Sequence, residues 1–203
     1  MNVAIVGASG RAGSAILREL AARGHQVTAI ARSSERIPVL PGVRALSLDA
    51  TDLPSLTNAL RGHDVLVSAA KFGQVPSDTL IAAAKGARVP RYLVVGGAGS
   101  LLDETGGRLV DRADFPEAYR PEALRGADFL ERLRSEPEID WTFLSPGFQF
   151  VEGERTGTFR IGGDTALTVP DGLTRISFAD FAIAMVDEIE KPRHRRQRFS
   201  VAY

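Results

Sequence analysis

The sequence predicts an α/β fold, a doubly wound and mostly parallel sheet, on three observations. Short apolar runs alternate with helical stretches from the first residues to Pro146, the pattern of βαβ units around a parallel sheet. The first of these units closes on a glycine turn with the spacing G-x-x-G-x-x-G, from Gly7 to Gly13. The chain has 203 residues of which 44% are apolar, enough for one core in a single domain spanning 1–203.

The elements follow in order. Val3–Val6 is a buried first strand, and Ser14–Arg23 a helix with Ile16, Leu17, Leu20 and Ala21 on one side. Strand two is Gln26–Ala31 and strand three Val43–Leu48. Asp52 is placed to cap a short helix over Pro54–Arg61, since a side-chain oxygen there can accept from the first turn. Strand four is Asp64–Ala69, followed by a helix over Pro76–Arg88 that turns Leu80, Ile81 and Ala84 inward. Strand five is Arg91–Val95. A helix over Pro121–Arg134 begins on proline, which is favoured in a first turn, and strand six is Trp141–Leu144. Right-handed crossovers between these units give a Rossmann-like sheet with strand one near its centre.

Past Pro146 the pattern changes, and residues 147–175 are expected to form a small substrate lobe. Thr156–Ile161 and Ala166–Val169 flank Gly162-Gly163-Asp164, which reads as a hairpin. Ser177-Phe178-Ala179-Asp180 reads as a capping box opening a last helix over Phe178–Ile189. Phe199–Tyr203 is a final strand, and His194–Arg198 a solvated connection.

A strand, a glycine turn and a helix in that order form an anion site, because free N–H groups and the helix dipole point the same way. Gly7 permits the tight turn, Gly10 the approach of a pyrophosphate, and Gly13 the close packing of helix on strand. Gly7, Ala8, Ser9, Gly10, Arg11, Ala12 and Gly13 are thus cofactor-site candidates. An NAD site usually places a carboxylate at the end of strand two. Here Arg32, Ser33 and Arg36 stand there instead, and a forked guanidinium suits a 2′-phosphate. The cofactor expected is therefore NADP(H), with NAD(H) as the alternative. Asp49 and Ala50 close strand three where adenine would lie, while Ser68, Ala69 and Ala70 leave room for ribose and pyrophosphate.

Several chemistries are excluded. There is no cysteine, hence no thiol catalysis, disulfide or thiolate metal site. The three histidines, His25, His63 and His194, fall away from the strands' carboxyl ends, so no metal site and no Ser-His-Asp triad is expected. Formal net charge is zero, which offers nothing to a nucleic acid or an anionic membrane. Without a basic leader or an apolar run of membrane length, the protein is expected to be cytoplasmic, as a monomer or homodimer. No tyrosine is followed four residues on by lysine: Tyr92 leads to Gly96, Tyr119 to Ala123, and Tyr203 is the final residue. Carbonyl reduction by a Tyr-Lys pair is thus absent. Hydride transfer to a flavin or quinone needs no strong protein acid, only two flat rings held at reacting distance.

The chain resembles the atypical short-chain dehydrogenase/reductases of the NADH-flavin reductase type, akin to biliverdin reductase B and the NmrA-like group. The motifs that carry the resemblance are residues 7–13, Val94–Leu101, Asp140–Pro146 and Gly153–Gly157, extended by Arg175-Ile176-Ser177 and Asp180. The resemblance implies an NAD(P)H-dependent reductase of flavins or similar planar acceptors, with the flavin as substrate rather than prosthetic group. It places Gly96, Gly97, Ala98, Pro146 and Gly147 at the nicotinamide. Biliverdin reductase B-like proteins carry a serine after strand five, where this chain has Ala98, with Ser100 two residues on. They carry a histidine after the proline of strand six, where Gly147 and Phe148 stand here, which argues against biliverdin as the acceptor. Ser100 and Tyr119 are the catalytic candidates, and Phe72, Phe148 and Phe150 the acceptor-pocket candidates. Gly99–Arg120, long and without periodicity, reads as a lid. Two alternatives stay open: a non-catalytic NmrA-like dinucleotide sensor, and a sugar epimerase with an unusual base.

Overall fold

A computed structural model describes residues 1–170 and 173–203. Its elements are β1 (Asn2–Val6), α1 (Arg11–Ala22), β2 (Gln26–Ala31), β3 (Val43–Ser47), α2 (Leu53–Leu60), β4 (Val65–Ser68) and α3 (Ser77–Ala87). They continue with β5 (Arg91–Val95), α4 (Arg120–Arg134), β6 (Asp140–Pro146), β7 (Gln149–Val151), β8 (Arg160–Gly162), β9 (Arg175–Ser177), α5 (Phe178–Glu190) and β10 (Gln197–Ala202). The main sheet has the order β3-β2-β1-β4-β5-β6-β10-β8, and all its pairs are parallel except β10 with β8. β7 and β9 pair parallel as a separate two-stranded sheet.

The core lies in two layers, one on each side of the sheet, because alternate strand residues point to opposite faces. Val3, Ile5, Val27, Ala29, Val65 and Val67 meet α1 and α5 on one side. Ala4, Val6, Ile30, Leu66, Tyr92 and Phe143 meet α2, α3 and α4 on the other. Strand order reverses at β1, which lies between β2 and β4. A crevice at the carboxyl ends of β1 and β4 follows from that reversal, and it is where open α/β sheets take their ligands.

Four local readings are corrected. α1 starts at Arg11 rather than Ser14, because Gly10, not Gly13, holds the cap position. The hairpin around Gly162-Gly163-Asp164 does not form: β8 pairs antiparallel with β10, while Thr165 bridges back to Leu102. The capping box is half made. Ser177 Oγ accepts from Asp180 N–H at 2.9 Å, but the Asp180 carboxylate turns away to Thr156, Gly157 and Tyr203. The segment from His194 to Arg198 is not simply solvated. Arg198 is buried and paired with Asp164 at 2.5 Å, and His194 Nδ1 lies 2.8 Å from Glu188.

The opposite, amino-terminal edge of the sheet is tied by a buried charge cluster. Arg91 donates to Glu188 at 2.8 Å, to Thr142 Oγ1 at 2.5 Å and to Asp140 at 3.2 Å. Glu188 also accepts from the backbone N–H groups of Arg193 and His194. Burial pulls the Arg91 guanidinium below the ordinary arginine range, and Asp140 and Glu188 oppose that pull.

Candidate dinucleotide site

The glycine turn has the conformations its sequence requires. Gly7 has φ +83°, a left-handed value that a side chain disfavours, and its N–H donates to Ile30 C=O at 3.0 Å. A Cβ on Gly7 would also lie 2.7 Å from the backbone of Ala69 and Ala70, so β1 and β4 close on each other here. A Cβ on Gly13 would lie 2.2 Å from Gly7 C=O, which is how closely α1 packs on the turn.

Gly10 differs from both. Its φ of −76° suits any residue, and a Cβ there would meet only Gly7 C=O, at 3.3 Å. The protein's own packing therefore asks little of glycine at position 10, whereas a ligand lying on the exposed turn would ask for it. The helix start agrees. α1 has no side-chain cap and no acidic residue in its first turn, so the first N–H groups of this twelve-residue helix find no acceptor among the described residues. Donors arranged in this way fit a pyrophosphate.

At the adenosine end, Arg32 follows β2 directly, and Ser34–Arg36 make one turn of 3-10 helix, so Arg32 and Arg36 stand four residues apart around it. Both are exposed, and neither has an ion-pair partner among the described residues. Ser33 N-caps this turn without a side-chain bond, leaving its hydroxyl uncommitted. Asp49 is exposed and bound to Thr51, through N–H at 3.0 Å and Oγ1 at 2.8 Å. Those bonds, with a smaller contribution from Arg32, hold its carboxyl below the usual carboxylate range. Ala50 is buried beneath it.

At the other end the strand tips are close-packed. Gly96 N–H donates to Leu144 C=O at 2.7 Å, and a Cβ on Gly96 would run into Phe143. Gly147 is buried against Ala202 and Arg175, and Pro146 ends β6 beside it. Gly97 and Ala98 are half-buried at the same tip, and the small pair Ala69 and Ala70 follows the neighbouring strand β4. Ser68 is buried, so only its backbone is available at the edge.

The aromatic candidates separate. Phe72 stacks on Phe143 at 6.2 Å and meets Phe129 edge-on at 5.9 Å, half-buried under the β5 tip. Phe148 is half-buried beside Phe115, with centroids 5.8 Å apart. Phe150 packs on Phe178 and Phe181 at 4.3 and 4.6 Å, which makes it a wall of the α5 layer. The two catalytic candidates are not brought together. Ser100 is buried with its hydroxyl 3.4 Å from Arg198, turned into the protein. Tyr119 is 69% exposed on a surface turn. The segment that carries them is less open than its composition suggests, since Arg120 holds the carbonyls of Val110, Arg112 and Phe115.

Comparison with known proteins bears directly on this arrangement. A family model described as NAD(P)H-binding matches residues 7–190. The chain belongs to this NAD(P)H-binding family. It is 40% identical over 213 aligned positions to the uncharacterized Bacillus subtilis protein YwnB, covering 99% of this chain and 98% of that one. A solved structure from Bacteroides thetaiotaomicron, described provisionally as an epimerase, superposes with TM-score 0.95 at 37% identity, over 100% of this chain and 96% of that one. Another from Streptococcus pneumoniae, described provisionally as an NADH-flavin reductase, gives 0.86 at 38% identity, over 100% and 99%.

Two features of this family member escape a reading of its sequence. Glu122 on α4 accepts from the N–H groups of Phe72 at 2.6 Å and Gly73 at 3.2 Å, which pins the loop after β4. Nothing local marks that carboxylate, since its partners lie fifty residues away. The second is a strap over residues 152–158, the stretch that carries Gly153–Gly157. Arg155 makes a bidentate pair with Glu19 on α1, both bonds 2.9 Å. Thr156 and Gly157 bind Asp180 at 2.5 and 2.8 Å, and Tyr203 adds a bond of 2.7 Å. The motif is thus a latch between α1 and α5.

The latch has a pH sense. The Arg155 bond lowers the Glu19 pKa in spite of burial, with help from Arg23. Burial raises that of Asp180, but the bonds from Thr156, Gly157 and Tyr203 outweigh it. Both carboxyls are therefore depressed in the folded state, so their contribution is present above the ordinary carboxylate range and lost as pH falls below that range through the lower folded-state values. Hydrogen exchange at Gly157, corrected for its intrinsic rate, is expected to be slow at neutral pH and to accelerate in acid. Arg155→Ala should loosen the strap already at neutral pH.

Proposed function

We propose that the protein is an NADPH-dependent reductase that passes hydride to a flavin, quinone or similar planar acceptor. The observation that carries this reading is a dinucleotide turn combined with a β5–β6 tip of small residues, Gly97, Ala98 and Gly147 beside Phe148, to which neither Ser100, turned onto Arg198, nor the exposed Tyr119 offers a proton. When bound, NADPH supplies hydride from C4, which with one solvent proton gives the dihydro acceptor and NADP+. The residues here bind and orient. Gly10 and the start of α1 take the pyrophosphate, while Arg32, Ser33 and Arg36 take the 2′-phosphate. Asp49 and Ala50 border the adenine, and Gly96, Gly97, Ala98, Pro146 and Gly147 leave a bare face for the nicotinamide. Phe72 and Phe148 border the acceptor. Such a reaction belongs in the cytoplasm, where reduced nicotinamide is regenerated.

Two free guanidinia at the end of β2 support the preference for NADPH. A charge-assisted hydrogen bond contributes roughly 1.5–3 kcal/mol, about ten- to a hundredfold in affinity. Arg32→Ala is thus expected to raise KM for NADPH by about that factor while leaving KM for NADH in place; an unchanged NADPH value removes Arg32 from the site. The inward turn of Ser100 and the surface position of Tyr119 also favour a second reading, a sensor that binds without turnover. Steady NADPH oxidation with FMN or a quinone supports the reductase. Tight binding with no oxidation supports the sensor.

A further inference from the structure

A groove of about 630 Å³ runs from the glycine turn down the outer face of α1, walled by the strap and the start of α5. The dinucleotide reading uses only its mouth, at Ser9, Gly10 and Arg11; beyond them the groove leads away from the sheet edge to Ala22, past Arg18 and Arg155. On α1 the lining positions are Arg11, Ser14, Ala15, Arg18, Glu19 and Ala22, one face of a helix by their spacing. Arg11 and Arg18 stand two turns apart, about 10 Å along the axis, with the small residues Ser14 and Ala15 between them as a floor. Neither arginine has an ion-pair partner among the described residues; Arg11 instead lies over the Phe178 ring, 5.3 Å from its centroid. Arg155 closes the opposite wall, its side chain 59% exposed although paired with Glu19. Three guanidinia therefore face two carboxylates, Glu19 and Glu152, and Glu19 is shared with Arg23 as well.

We infer that this groove is a phosphate-monoester subsite for the acceptor, which makes FMN rather than riboflavin the flavin substrate; the inference rests on the reductase reading. An aromatic wall joins the two places. Phe148 follows the β6 tip, Phe150 packs 4.3 Å from Phe178, and Phe178 carries Arg11 at the mouth of the groove. A flavin ring at the tip can thus extend its ribityl chain along Phe150 and Phe178. Its phosphate then lies against Arg18, with Arg11 shared between it and the cofactor's pyrophosphate, where forked donors match its oxygens.

The test is a fluorescence titration of the NADP+-loaded protein with FMN, FAD and riboflavin, followed by NADPH oxidation with each. The wild type is expected to bind FMN roughly tenfold more tightly than riboflavin, with FAD, which has no terminal monoester, close to riboflavin. Added salt should weaken FMN binding alone. Arg18→Ala, an exposed position, is expected to erase the preference for FMN while holding riboflavin affinity, and Arg18→Lys to restore part of it. Equal affinity for FMN and riboflavin in the wild type, or an unchanged ratio in Arg18→Ala, overturns the subsite and leaves the reductase reading standing. Failure of every flavin to bind overturns the subsite, and failure of every flavin and quinone to be reduced overturns the reductase reading as well.

Discussion

Replacing Gly10 with alanine is expected to weaken NADP(H) binding by roughly ten- to a hundredfold, the loss of one charge-assisted hydrogen bond. The melting temperature should move by only a few degrees. The contrast arises because position 10 has ordinary backbone angles and its Cβ would meet a single protein atom, at 3.3 Å. The added methyl would instead stand where a pyrophosphate must come down on the turn. Gly13→Ala is the companion. Its Cβ would lie 2.2 Å from Gly7 C=O, so α1 must move off the turn, and both binding and stability should fall. Overpacking of this kind typically costs about 1–3 kcal/mol. Calorimetric titration and thermal melts of the two variants, side by side, separate a glycine that serves the ligand from one that serves the fold. If Gly10→Ala binds NADP(H) as the wild type does, the pyrophosphate does not lie on this turn.

Glu188→Ala is expected to lower the melting temperature by roughly 6–20 °C. The carboxylate is 3% exposed and is the nearest partner of the buried Arg91 carboxylate contacts, at 2.8 Å. Removing it leaves a buried guanidinium short of its counter-charge and frees the N–H groups of Arg193 and His194. Breaking a buried pair from one side costs about 3–5 kcal/mol, and in a chain of this size each kcal/mol shifts the melt by roughly 2–4 °C. Asp111→Ala is the control. Its pair with Arg108 is exposed on both sides, and such pairs contribute about 0–1 kcal/mol. The Arg91 cluster sits at the starts of β5 and β6, the edge opposite the crevice. Cofactor affinity of folded Glu188→Ala should thus match the wild type. A melt within two or three degrees of the wild type would show that Asp140 alone satisfies Arg91.

The parallel units were legible because each is written locally. β2 and β5 have the predicted bounds, and Asp52 caps α2 through Ser55 N–H as expected. What failed was decided by distant partners. Residues 156–169 alternate and centre on Gly162-Gly163, which suits a hairpin, yet β10 offered Arg160–Gly162 a longer edge to pair with. Asp180 has the spacing of a capping-box partner, but Thr156 and Tyr203 are brought to it by the fold. His194 and Arg198 read as solvent-facing charges because Glu188 and Asp164, their partners, carry no mark of it in the sequence. The site divides in the same way. The glycine turn and the arginines after β2 could be placed from spacing alone. Ser100 could not, since only the path of the following chain decides that its hydroxyl meets Arg198. Glu122 and the strap were missed for that reason too, as each joins segments far apart in sequence.

Isothermal calorimetry of the wild-type protein with NADPH and NADH tests the central claim most directly. Saturable binding of one equivalent is predicted, about ten- to a hundredfold tighter for NADPH, with that difference lost in Arg32→Ala. No heat with either nucleotide would contradict it.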